Sequence, residues 1–187
     1  MVTKVYGDTG VDKIVDGTIT SSDFAAGANV ISSGTSVSAS GTSVDFTGIP
    51  SWVKRITVML DKIASNGTPG NASFLIQLGD SGGIETTGYA GTGHYVSTGL
   101  VLFTSTSGIR ISNGVLAGTL SGNFTITLQD SATNSWVTTG IWEAPSDGYG
   151  GFSAFSKSLS GTLDRVRITT INGTDTFNTG NINILYE

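Results

Sequence analysis

Apolar residues that recur at every second position, segment after segment, commit this chain to β-sheet. In KRITVMLDKI the set Ile56, Val58 and Leu60 falls on one face and Arg55, Thr57 and Asp61 on the other, as in a strand with one face buried. The same alternation recurs in SFLIQLGD (Phe74, Ile76, Leu78), NFTITLQD (Phe124, Ile126, Leu128), DRVRITTI (Val166, Ile168) and NINILYE (Ile182, Ile184, Tyr186). TGLVLFTS, GIRISN, SWVTTGIWEA and YGGFSAFSKSL read as further strands, the first of them equally well as a fully buried strand without alternation. Between these runs sit clusters rich in residues that tolerate positive φ: Asn66-Gly67-Thr68-Pro69-Gly70, Asp80-Ser81-Gly82-Gly83, Ser121-Gly122-Asn123 and Ile171-Asn172-Gly173-Thr174. No window of a dozen residues carries a helical period. The expected body, residues 35–187, is therefore all-β: an antiparallel β-sandwich, jelly-roll-like, of about eight to ten short strands. Its core is expected to hold the apolar sets named above except Tyr186, each large side chain contributing roughly 1.5–3 kcal/mol on burial.

Composition narrows the classes of function. Charged residues make up 12% of the 187, about half the usual share of roughly 25%, and the net charge is -5. Nucleic-acid binding rests on Lys and Arg neutralising phosphates, so that partner is not expected. Cysteine is absent, which removes disulfides and thiolate metal sites as sources of stability. No run is long enough to span a bilayer, and residues 1–8 lack the basic and apolar regions of a secretory signal. A Ser/Thr/Gly-rich, weakly charged β chain without an export signal fits a protein made in a host cytoplasm and released by lysis.

Residues 1–34 differ from the rest. GDTGVDKIVDGTITSSDFAAGANV alternates single apolar residues with Gly, Asp, Ser and Thr and gathers no hydrophobic face. The expectation is a short, extended, partly helical segment: a turn at Asp16-Gly17, then Ser21 or Ser22 capping one helical turn that ends at Gly27. One turn is not stable alone, so its order is expected to come from a partner.

Two stretches carry a resemblance. VDKIVDGTITSSDFAAGA resembles the DG(T/S)I(T/S)xxD(L/F)A segments of tailed-bacteriophage tail fibres and related appendages. DFTGIPSWVKRITVMLDKIASNG, FLIQLGDSGGIETTGY and SLSGTLDRVRITTINGTDTFNTGNINILYE resemble a C-terminal domain recurrent in phage fibre, spike and virion-surface proteins. The resemblance implies a homotrimeric structural protein of the virion surface. Its N-terminal segment would dock on capsid or tail proteins through Val11, Ile14, Val15, Ile19 and Phe24, with the β-domain facing solvent. The short leader and the lack of a repeat shaft point to a compact appendage: a head fibre or capsid decoration, or a short tail fibre. The alternative is a receptor-binding adhesin that takes host-surface polysaccharide in its loops.

Residues able to do chemistry are few. His94 is the sole histidine; no G-x-S-x-G elbow accompanies it, and a lone histidine does not make a His-based zinc site. Gly79-Asp80-Ser81-Gly82-Gly83 matches a serine-protease nucleophile motif, yet the histidine follows it in sequence, and a tight turn explains it better. Asp80, Glu85, Glu143 and Asp147 include candidate glycosidase carboxylates, although no spacing rule selects a pair. Asn66, Asn71, Asn123 and Asn172 begin chance sequons, and INGTDTFNTGN lacks the order of a calcium loop. No catalytic residue, metal or cofactor is expected. Trp52, Trp136 and Trp142 read as packing residues. Tyr89, Tyr95 and Tyr149, placed in Gly-rich loops beside His94, are with Trp142 the candidates for stacking on a sugar.

Overall fold

The computed structural model describes residues 31–68, 73–96, 98–112 and 118–187. The residues expected to dock, Val11, Ile14, Val15, Ile19 and Phe24, lie outside the described residues. The strands are β1 (Ser32–Ser33), β2 (Val37–Ser38), β3 (Ser43–Thr47), β4 (Arg55–Ser65), β5 (Phe74–Asp80), β6 (Gly83–Ile84), β7 (Tyr89–Val96), β8 (Leu100–Thr104), β9 (Ile109–Arg110), β10 (Leu120–Asp130), β11 (Ser135–Ala144), β12 (Tyr149–Ser158), β13 (Arg165–Thr170) and β14 (Phe177–Tyr186). A 3-10 turn, Pro145–Asp147, links β11 to β12 and closes on Gly148 with φ 70.

These strands form two antiparallel sheets, as the alternation requires. Among the described residues the larger has nine strands in the order β1-β14-β4-β10-β11-β12-β7-β8, with β2 also against β14. The smaller has five, β3-β13-β5-β6, with β9 also against β5. Repeated changes of layer, as from β4 to β5 and from β12 to β13, meet the jelly-roll expectation. The meander β10-β11-β12 stays within one sheet and departs from it. Among the described residues strand pairing begins at Ser32, opposite Tyr186, so the body reaches back past residue 35.

The core lies between the sheets. Ile56, Val58, Leu60, Phe74, Ile76, Leu78, Phe124, Ile126, Val166, Ile168, Ile182 and Ile184 are all buried, and Leu128 packs against them half-buried. Two elements differ from the sequence pattern. In β5 both faces are covered: Gln77 donates its Nε2 hydrogen to the Ser107 carbonyl at 2.8 Å, and the chain at Gly108 lies against Leu75 and Gln77. The alternation that places Leu75 outside is overridden by the segment that leads into β9.

The second departure is GYAGTGHYVSTG, expected to be a loop. Residues 89–96 are instead β7, paired with β12 on one side and β8 on the other. The glycines that suggested a loop lie beneath aromatic rings of the neighbouring strands. Gly91 is opposite Phe155 and Gly93 opposite Phe103; a Cβ would stand 2.6 Å from Phe155 Cδ1 at the first and 2.5 Å from Phe103 Cε2 at the second. The same pairing places Gly151 and Gly122 against Trp142, and Gly140 against Phe124. Glycine in these strands makes room for a ring to lie flat over the adjacent backbone.

Candidate assembly surface

Alternation in the large sheet sends one set of side chains to the core and the other to the outside. An antiparallel sheet with one solvated face carries polar residues there. The small sheet follows this rule: Arg167 grips the Asp45 carboxylate with two hydrogen bonds of 2.7 Å, and Arg165 pairs with Asp164. The outer face of β11, β12, β7 and β8 does not. Ile141 is opposite Phe152, Phe152 opposite His94, and His94 opposite Leu102, a row across four strands about 14 Å long at ordinary strand spacing. His94 and Phe152 meet with ring centroids 3.7 Å apart. One row further, Val96 is opposite Leu100 at the sheet edge, and Val137 stands two residues before Thr139 on β11.

Val96, Leu100, Leu102, Val137, Ile141 and Phe152 are between 44% and 74% exposed. The outward positions between them are Ala90, Thr92, Thr104, Thr139, Gly150, Ala154 and Ser156. On these four strands the outward ionisable groups are His94 and Glu143. A shallow groove of ≈ 560 Å³ runs along Ile141 and Phe152, bordered by Asn123, Thr125, Thr139 and Ala154. A contiguous apolar patch with polar residues between and around its members is a candidate site of contact.

The glycan candidates are not brought together as loop residues. Tyr89, Tyr95 and Trp142 are at most 4% exposed, so no ring face is open to a sugar. Tyr89 is anchored: its hydroxyl accepts the Leu78 N–H at 2.6 Å and donates to the Glu85 carbonyl at 3.1 Å, and burial pushes the phenol pKa up. Tyr95 lies 5.9 Å from the Trp142 ring and 5.3 Å from that of half-buried Tyr149. His94 alone of this set is on the outer face, beside Phe152. Trp136 and Trp142, both on β11, are in the core, and Trp52, in the turn before β4, packs partly buried against Tyr186.

Of the four acids, Asp80 and Glu85 meet and the others do not. Ser160 Oγ lies 2.7 Å from Asp80 Oδ2 and 2.8 Å from Glu85 Oε1, while its N–H donates to Glu85 at 2.6 Å. Glu85 also forms an ion pair with buried Lys157, whose Nζ donates to the Ser158 carbonyl and lies 5.6 Å from the Tyr89 ring centroid. The Ser160 hydroxyl and the Gly82 N–H hold the Asp80 carboxyl below its usual range. Burial opposes charge on Glu85, yet hydrogen bonds from Lys157 and Ser160 outweigh it and lower that pKa too. A glycosidase acid needs a raised value. Glu143 is on the outer face of β11, and Asp147 accepts the Gly118 N–H from the 3-10 turn.

GDSGG forms the tight turn between β5 and β6, with Asp80 Oδ1 accepting the Gly82 N–H at 2.8 Å. In INGTDTFNTGN the Asn172 side chain accepts from the N–H groups of Thr174 and Asp175. Among the described residues, no three His, Cys, Asp or Glu side chains come close enough to hold a metal ion. No protein-family model matches the chain, and no curated protein matches it.

Apart from His94 and Glu143, the outer-face residues were not singled out by sequence reasoning. Their signal is present in part: SWVTTGIWEA and YGGFSAFSKSL carry apolar residues in both phases of the alternation, so whichever phase enters the core, the other leaves apolar side chains outside, and the structure makes these Val137, Ile141 and Phe152.

Proposed function

We propose that the chain is a non-enzymatic structural protein of a tailed-phage particle, a compact homotrimeric appendage on the capsid or the tail. Residues 1–34 dock it and the β-sandwich projects from the surface. The observation that carries the reading is the apolar, sparsely charged face of β11, β12, β7 and β8, which fits an assembly contact better than a solvated surface. The resemblance of VDKIVDGTITSSDFAAGA to fibre attachment segments supports the particle as the place of assembly. The lowered pKa values of Asp80 and Glu85 fit a structural clasp. For the adhesin alternative, burial of Tyr89, Tyr95 and Trp142 removes most of the proposed sugar platform.

Particles banded on a density gradient from a lysate are expected to contain the chain at fixed stoichiometry, retained through a high-salt wash. A chain lacking residues 1–30 should keep the sheet signal in circular dichroism and be lost from the band. A full-length chain that remains in the soluble fraction, or a truncated one that joins particles equally well, would contradict the proposal.

A further inference from the structure

We infer that the outer face of β11, β12, β7 and β8 is covered by the corresponding face of neighbouring copies of this chain, with the Ile141, Phe152, His94 and Leu102 row at the centre of the contact. This rests on the homo-oligomeric reading above and assigns it a surface. Three observations select a second copy as the occupant.

The first is charge. A chain of net charge -5 repels its own copies unless they meet where charge is absent, and this face is nearly without it. Ion pairs such as Arg167 with Asp45 and Arg55 with Glu187 stand elsewhere. A different protein partner would be selected by complementary charge, and a glycan by an array of directed hydrogen bonds. Here the face offers apolar side chains, with His94 and threonine hydroxyls at intervals and the single carboxylate Glu143 toward the end of β11.

Size is the second. A fully buried Val, Leu, Ile or Phe removes roughly 60–120 Å² from water, so the six outward side chains, about half to three-quarters exposed, offer on the order of 200–400 Å². That is an apolar centre for a contact of about 800 Å² per partner, the standard size. The surrounding Thr, Ser, Ala and Gly positions form its rim.

Third, β8 ends the large sheet: among the described residues it pairs with β7 and with no strand beyond. Its outward Leu100 and Leu102 carry no charge, and an edge without Lys, Pro or a bulge is a template for association rather than a guarded margin.

Sedimentation of the full chain at micromolar concentration tests this. The wild-type chain is expected to sediment as a trimer. The double variant Ile141→Asp, Phe152→Asp should sediment as a monomer with an unchanged far-ultraviolet circular dichroism spectrum, its dissociation constant raised at least ~100-fold by like charges brought together. Leu102→Lys, at the other end of the row, should weaken association independently and keeps the test open if the double variant fails to fold. Thr47→Asp, on exposed β3 of the small sheet, should leave the mass unchanged. A monomeric wild type, or outer-face variants with wild-type mass, would overturn the inference. Particle incorporation separates the two readings. If the wild type is monomeric in solution and the outer-face variants lose incorporation, another virion protein covers the face, so this inference fails and the structural role stands. If the wild type is a trimer, the variants are monomers and none enters particles, the interface stands and the virion role fails.

Discussion

Replacing Gly140 with alanine is expected to destabilise the sandwich by about 3 kcal/mol, the upper end of the usual cost of overpacking. Gly140 is at the centre of β11, directly opposite Phe124 on β10. An added Cβ would stand 2.5 Å from Cγ and Cε1 of that ring. Phe124 is fully buried, so its ring cannot swing into solvent, and β10 and β11 are both interior strands that cannot shift alone. Urea unfolding measures the loss as a lower midpoint with an unchanged slope. Phe124→Leu removes the ring and costs stability by itself, but it also vacates the space that a methyl at 140 needs. Gly140→Ala and Phe124→Leu together should therefore cost less than their sum. Strict additivity would mean that the glycine is there for some other reason.

The second large effect concerns the clasp at Ser160. Glu85→Gln should cost on the order of 3 kcal/mol, near the lower end of the range for breaking a buried ion pair, because it strands Lys157 with its side chain 7% exposed. Converting Lys157 to methionine in the same chain should recover much of the loss, since an uncharged pair of similar volume leaves no buried charge uncompensated. The pH dependence follows in sign. Asp80 and Glu85 have folded pKa values below their unfolded ones, so the unfolded chain binds protons first as pH falls. Their contribution is complete above the unfolded values of about 3.9 and 4.3 and is lost as pH drops through them toward the folded values. The wild-type urea midpoint should fall between pH ~6 and pH ~3, and Glu85→Gln should flatten that decline. An equally steep decline in the variant would show that this clasp is not the acid-sensitive element.

Strands β4, β5, β10, β13 and β14 were legible because each carries a run of apolar residues at every second position, and the core residues expected from those runs are buried or, at Leu128, half-buried. β7 was not. Its glycines look like loop residues in one dimension, and their role becomes visible only when Phe155 and Phe103 are found lying over Gly91 and Gly93 from the adjacent strands. The same blind spot moved Tyr89 and Tyr95 from the core, where they pack, to a loop where they seemed free to meet a sugar. The outer face was illegible for a related reason. Where a strand is apolar in both phases, as at Trp136, Val137, Ile141 and Trp142, the sequence does not say which phase the second sheet will cover.

Cysteine labelling tests the assembly surface most directly, because the chain has no cysteine of its own and any thiol introduced reports only its own position. Ile141→Cys lies in the middle of the outer face and Thr47→Cys on the solvated strand β3. In assembled protein the account predicts that a maleimide reacts rapidly at position 47 and slowly at 141, and that dilution to monomer equalises the two. Equal, rapid reaction at both positions in the assembled state would contradict it.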